Sequence, residues 1–463
     1  MLPSSALYFT SLGLCACVLA VLSFRADRFL GWIVLFALCV NVSGATAIGW
    51  WAERVHGRNY MSPDEVGYLW EGERLLLARR TGDTSFVRAT VGIFAPINGA
   101  VMAVAGPGYK PMRVTTALVG AIGVAAAFWL ALLLYRSQVT ARIAAFLCAT
   151  SPLMILFSWS DLRERWIATA ATLVLVAGVL TIQRPTVRRV LGLMAAVWIL
   201  TELRHYWGTL AAYLVIAGSL LFGAPRWSRR IGNTAIVATA MGLALWVVTE
   251  SFLGLGIRHE TVRKYIAVAP TEAGQSGSAR ASTSDSPGAQ PGSRSTAASM
   301  RNGAAADAGR AIPYSGPTLG VPAPARRPTL KELAGNLMFV LFGRVRARVD
   351  GGQFASVFLL PEALWSVLLI PLAVAGFVVA VRRGQLAVLI PAAYVAAIMA
   401  LFTWVHGEEW TTYRFRNLYW PELLVLVAGG VTWAYEWWAA RRSQAAVSHT
   451  GHAPGTAGAA RTS

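Results

Sequence analysis

Charge is scarce in this chain. Charged side chains make up 14% of the 463 residues, against about 25% in a soluble domain. That shortage, with a hydrophobic share of 56% and a mean hydropathy of +0.52, excludes an ordinary soluble fold. Lysine is nearly absent: of 41 basic residues only Lys110, Lys264 and Lys331 are lysines. The four cysteines (Cys15, Cys17, Cys39 and Cys148) lie inside apolar stretches, which excludes a disulfide framework, and they lack metal-site spacing. The sequence contains no P-loop, no glycine-rich dinucleotide fingerprint, no His-Glu-x-x-His and no nucleophile elbow. Those absences argue against a nucleotide-driven pump and against cytosolic chemistry.

What is present is a series of long apolar blocks near the roughly 20 residues needed to cross a bilayer. They predict an all-α polytopic transmembrane bundle of about 11 spans: 6–24, 29–51, 113–135, 141–159, 166–183, 189–201, 207–223, 233–252, 362–381, 386–404 and 418–438. The first block lacks a small-residue cleavage site and is expected to remain as a span. The apolar piece 91–105 is short and broken by Gly and Pro, so it reads as an interfacial or re-entrant helix.

Arginines set the orientation. Arg25 and Arg28, Arg136 and Arg142, Arg184 with Arg188 and Arg189, Arg226 with Arg229 and Arg230, Arg382 and Arg383, and Arg441 with Arg442 fall at alternate ends of the spans. Positive residues in short loops mark the cytoplasmic side. The N-terminus is therefore expected outside and the C-terminus inside, in an inner (cytoplasmic) membrane. Of 22 acidic residues, only Asp27 and Glu436 fall near the cytoplasmic face. The net charge of +19 reflects attraction to anionic lipid heads rather than to nucleic acid.

The expected organisation is an N-terminal membrane module, 1–257, with an acidic first outer loop at 52–112. A long outer loop, 258–361, follows, with a Ser/Gly/Ala/Pro-rich stretch at about 270–328 that cannot bury enough surface to order itself. A three-span module, 362–440, and a disordered cytoplasmic tail, 441–463, complete it.

The outer loops carry the candidate chemistry. Ser62-Pro63-Asp64-Glu65, with Tyr68 further on, opens the charged part of the first loop. Asp64 can deprotonate or orient an acceptor hydroxyl, or bind a divalent cation such as magnesium or manganese. Glu65 can share that role, or can close a capping box with Ser62 at a helix start whose first position is Pro63. Asp161-Leu162-Arg163-Glu164-Arg165 packs four charges against apolar helices, for pairing or chemistry. Glu202-Leu203-Arg204-His205-Tyr206-Trp207 offers a phosphate-matching guanidinium in Arg204, whereas Trp207 reads as an aromatic-belt residue. In the loop 405–417, Arg414 and Arg416 can clamp a phosphate or snorkel to lipid heads. Glu408 and Glu409 can join a metal site or pair with those arginines.

The order of these motifs resembles the membrane glycosyltransferases with the GT-C fold, which use polyprenyl-phosphate sugars. They include the glycosyltransferase family 39-like enzymes, the protein mannosyltransferases and the lipid A sugar transferases. The resemblance rests on Asp64-Glu65-x-x-Tyr68, the piece around Pro96, Arg113, Arg142, Ser151-Pro152, Asp161-Leu162-Arg163-Glu164, Leu203-Arg204-x-Tyr206, and Tyr413-Arg414-Phe415-Arg416 through Pro421. It covers most of residues 50–225 and the last three spans. It implies a hexosyl- or pentosyltransferase acting on the outer face, with Asp64 as general base and Glu65 assisting. Arg414 and Arg416 would hold the donor phosphate, and the acceptor would be an envelope glycan, lipid or protein. With no Asp-x-Asp motif in the chain, the metal stays unassigned. Residue readings independent of the resemblance also admit a polysaccharide or lipid transporter or flippase, or a non-catalytic subunit of an envelope-assembly complex.

Overall fold

The computed structural model describes residues 4–56, 63–81, 93–106, 108–251, 330–342, 353–404 and 416–450. All of them belong to one compact unit formed by Met1–Gly254 and Thr329–Ser463. The Ser/Gly-rich stretch 270–328, the residues Glu408, Glu409, Tyr413 and Arg414, and the end of the tail from 451 lie outside the described residues.

Regular structure among the described residues is helical. The helices are α1 (Ser4–Ala26), α2 (Arg28–His56), α3 (Pro63–Thr81), α4 (Phe94–Ala105), α5 (Tyr109–Tyr135), α6 (Gln138–Thr150), α7 (Pro152–Ser158) and α8 (Arg163–Gln183). They continue with α9 (Val187–Leu203), α10 (His205–Phe222), α11 (Trp227–Ser251), α12 (Leu330–Phe342), α13 (Gln353–Arg382), α14 (Leu389–Trp404) and α15 (Trp420–Thr450). Seven of them, α1, α2, α5, α8, α13, α14 and α15, are long and apolar enough to cross a membrane. The chain is a polytopic helical membrane protein.

The span count is lower than the eleven expected. Segment 141–159 is a broken pair rather than one straight span: α6 and α7 meet at a bend of 58° and make an eighth span only if counted together. The cause is local. Pro152 has no N–H for the helix ladder and pushes Ser151 into extended backbone, φ −61° and ψ 123°. Ser151 then caps α7 by accepting from the Met154 N–H at 3.4 Å. Segments 189–201, 207–223 and 233–252 do form α9, α10 and α11. However, α9 holds Arg188, Arg189 and Glu202 within 17 residues, and α10 has only 18 residues. The piece expected at 91–105 is the 12-residue helix α4, too short to span.

Small residues let the backbones approach closely, the usual device where lipid removes the hydrophobic drive for helix association. On α13 and α15, a Cβ at Gly376 would strike the Leu426 carbonyl, and one at Gly430 the Leu372 carbonyl. On α5, a Cβ at Gly120 would strike Ser158 and Asn41.

Helix α5, 27 residues long, separates the two ends of the bundle by roughly 40 Å. At its C-terminal end Arg142 donates to Asp27 Oδ2 at 2.7 and 3.1 Å, while Asp27 Oδ1 caps α2 through the Leu30 N–H. Burial works against the Asp27 carboxylate. Its bond to Arg142, the Leu30 N–H and the Arg142 charge outweigh that and hold its pKa below the usual value. Arg383 pairs with Glu436 at 2.6 Å, and Gln385 donates to the Tyr135 carbonyl. The two acids expected among the basic loops are thus each neutralised by an arginine there. All remaining acids with side chains described in α3, α8 and α9 gather toward the other end.

Candidate active site

Four chain segments converge at the N-terminal end of α5: the start of α3, the start of α4, the α7–α8 turn and the α9–α10 turn. Their ties are specific. Glu65 in the first turn of α3 is fully buried. Its Oε2 accepts from Arg113 Nη2 at 3.0 Å, and its Oε1 accepts from the Asp161 backbone N–H at 2.7 Å. One carboxylate therefore fastens α3 to both α5 and the α7–α8 turn. The Ile93 N–H donates to the Glu202 carbonyl at 3.1 Å, which fastens the start of α4 to the end of α9.

Asp64 precedes this anchor and is partly exposed. The two adjacent carboxylates thus have different surroundings. One is enclosed in the bundle, and the other keeps partial exposure. Pro63 occupies the first helical position of α3, as its fixed φ favours. Ser62, the other half of the expected capping box, lies outside the described residues.

Asp161 is fully buried, and the side-chain amide of Asn98, on α4, is buried beside its carboxyl. Burial, and then the Glu65 charge, push the Asp161 carboxyl well above its usual pKa; Arg113 and Asn98 offset this only in part. The folded state therefore holds the Asp161 proton more tightly than the unfolded chain does. Stability is intact below the ordinary carboxylate range and falls as the pH rises through the raised folded value. Asp161→Asn removes that loss. Thermal melts in detergent should show the variant more stable than the wild type at about pH 8, with the gap closing near about pH 4.

A second layer lies next to this one. Tyr68 packs edge-on against Phe94 at 5.0 Å, and the Arg163 guanidinium lies 5.4 Å from the Tyr68 ring centre. Phe94 in turn meets Trp166 at 5.8 Å. Arg204 donates to the Tyr206 hydroxyl and stacks over its ring at 5.1 Å. Burial raises the Tyr68 phenol, with Arg163, Glu164, Arg204 and Glu71 as its charged neighbours. Glu164 is itself buried. The structure therefore brings together Asp64, Glu65, Tyr68, Asp161, Arg163, Glu164, Arg204 and Tyr206.

Arg416 stands apart on the C-terminal helices. It is buried, donates to Ser366 Oγ and lies 4.6 Å over the Trp420 ring. Trp420 and Tyr419 wall a chamber of about 720 Å³ between α12, α13, α14 and α15, lined further by Leu337, Ile370, Phe377 and Met399. Its lining is almost wholly apolar. Among the described residues no three of His, Cys, Asp and Glu gather in a way that could hold a metal ion.

Several residues escaped the sequence. Asn98 carries no charge and sits in a Gly/Pro-broken piece. For Arg165 and Glu422 it was the burial that escaped, not the residues: Arg165 donates to the Gly120 carbonyl at 2.7 Å, and Glu422 accepts from Thr172 at 2.8 Å inside the spans. Trp207 is not a belt residue. It is 1% exposed and packs against Phe402 at 6.0 Å.

These elements define an all-helical membrane protein with a polar cluster of acids and arginines at one end of its bundle. No family model and no curated protein matches the sequence. Among solved structures it is similar to the archaeal oligosaccharyltransferase AglB from Archaeoglobus fulgidus, in complex with an inhibitory peptide and a dolichol-phosphate, at 14% identity and a TM-score of 0.45. The similarity covers 95% of this chain and 53% of AglB, so the chain spans about half the length of that protein.

Proposed function

We propose that the chain is an integral membrane glycosyltransferase. It moves a sugar from a polyprenyl-phosphate donor to an envelope glycan, lipid or protein acceptor on the outer face of the cytoplasmic membrane. The observation that carries this reading is the convergence of the first-loop acids with the α7–α8 and α9–α10 turns at one end of the bundle. The arginine clusters of the other end support a cytoplasmic reading of that end, and with it an outward-facing acidic cluster. The apolar chamber walled by Trp420, over whose ring Arg416 lies, supports a donor whose chain stays in lipid while its phosphate meets a guanidinium.

In this reading Asp64 accepts the proton of the acceptor hydroxyl as its oxygen attacks the anomeric carbon. The bond from that carbon to the phosphate oxygen breaks, and the polyprenyl phosphate leaves with the electron pair. Its developing charge needs a fixed cation more than a proton, and Arg416 supplies one, with Arg414 as its expected partner. Glu65 and Arg113 hold the start of α3, which carries Asp64. Membranes containing the protein, given a labelled polyprenyl-phosphate sugar, should transfer label to an endogenous acceptor. Arg416→Ala should raise the donor KM about 10- to 100-fold, the scale of one charge-assisted phosphate contact. An inactive wild type across such donors overturns the reading.

One observation favours a second reading, a lipid or polysaccharide flippase: Arg165, Glu422 and Tyr394 are buried inside the spanning helices, as along a polar pathway. Movement of the labelled lipid between leaflets of proteoliposomes, without transfer of its sugar, would select it.

A further inference from the structure

The segment from Arg416 through the first turn of α15 is tied to four neighbours. Arg416 donates to Ser366 on α13, and the Tyr419 hydroxyl donates to the Val340 carbonyl on α12 at 3.4 Å. Trp420 Nε1 donates to Ser151 Oγ at 3.1 Å, and Thr172 on α8 donates to Glu422. Trp420 has the widest reach of these. Its ring lies beneath the Arg416 guanidinium and forms part of the chamber wall. Its N–H ends on the hydroxyl that caps α7, the short helix that leads into the Asp161 turn. Trp420 and Ser151 are each 1% exposed, so water does not compete for that bond.

We propose that Trp420 is a positioning residue. Through Ser151 it fixes Arg416 relative to the turn that carries Asp161, and so couples the lipid-phosphate end of the site to its acidic end. The inference rests on the donor reading above and adds the element that aligns its two halves. The bend at Ser151-Pro152 then has a purpose. A continuous helix would spend its backbone groups internally, whereas the break presents a hydroxyl that serves α7 and α15 together.

The test compares the binding of a polyprenyl phosphate with that of the polyprenol of the same chain length, in purified full-length protein. The ratio of affinities reports the phosphate contact alone, and a loss of packing that weakens both lipids leaves it unmoved. The wild type should prefer the phosphate. Trp420→Phe keeps a ring beneath Arg416 but removes the N–H, and should cut that preference about tenfold. Ser151→Ala should cut it equally, the double variant no further, and Ser151→Thr, which keeps the acceptor, should retain it. An undiminished preference in Trp420→Phe, or additive losses in the double variant, overturns the positioning role while leaving the donor reading standing. A wild type with no preference for the phosphate overturns the donor reading and this inference with it.

Discussion

Asp64→Asn is expected to abolish sugar transfer while leaving the protein folded in the membrane. The substitution preserves size and hydrogen-bonding capacity at a partly exposed position in the first turn of α3. It removes the one property the proposed step requires, a basic oxygen that can take the acceptor proton. Loss of a positioned general base costs typically about 10²- to 10⁴-fold. The replaced charge also sat at a helix N-terminus, where an acid contributes about 0.3–1 kcal/mol. The stability penalty is therefore small beside the kinetic one. Initial rates with a labelled polyprenyl-phosphate sugar, normalised to folded protein by size-exclusion profile, separate the two. Near wild-type transfer by a well-folded Asp64→Asn protein would remove Asp64 from the mechanism.

The outline of this site was legible because polar residues are rare here. In a chain with so few charges, Asp64, Asp161, Glu164 and Arg204 stand out against apolar blocks, and loop arginines sort them to one side. What the sequence hid is non-local. Glu65 reads as a helix cap from its spacing to Ser62. Its partners Arg113 and Asp161 lie 48 and 96 residues away, and no periodicity announces them. Trp207 reads as an interfacial ring because it opens a helix, yet Phe402 covers it. Hydropathy also averages over a break: the sum across 141–159 stays apolar although Pro152 bends the segment. Glu422 and Arg165 were legible as residues but not as buried ones. Their depth depends on how far the start of α15 is recessed beside Ser151 and Thr172.

Arg113→Met is expected to prevent the protein from accumulating in the membrane, and a second substitution, Glu65→Gln, to restore it. The Glu65 and Arg113 side chains are 0% and 2% exposed, so water screens neither. Removing one partner of a buried pair leaves the other charge uncompensated and costs about 3–5 kcal/mol. That is a large part of a net stability of about 5–15 kcal/mol. Asp161 sharpens the effect, because the Glu65 charge already opposes its ionisation and Arg113 is the cation that offsets both. Neutralising Glu65 as well removes the stranded charge, and its amide still offers an oxygen to the Asp161 N–H. Expression in membranes and thermal melts of Arg113→Met, Glu65→Gln and the pair should therefore give strongly non-additive losses, with the double variant closer to the wild type than Arg113→Met alone. The recovered double variant then separates the two roles open to Glu65. If the carboxylate only anchors the start of α3, the folded double variant with Asp64 intact transfers sugar within about tenfold of the wild type. If it assists Asp64 in proton transfer, the double variant folds and fails to react, since an amide cannot take the proton.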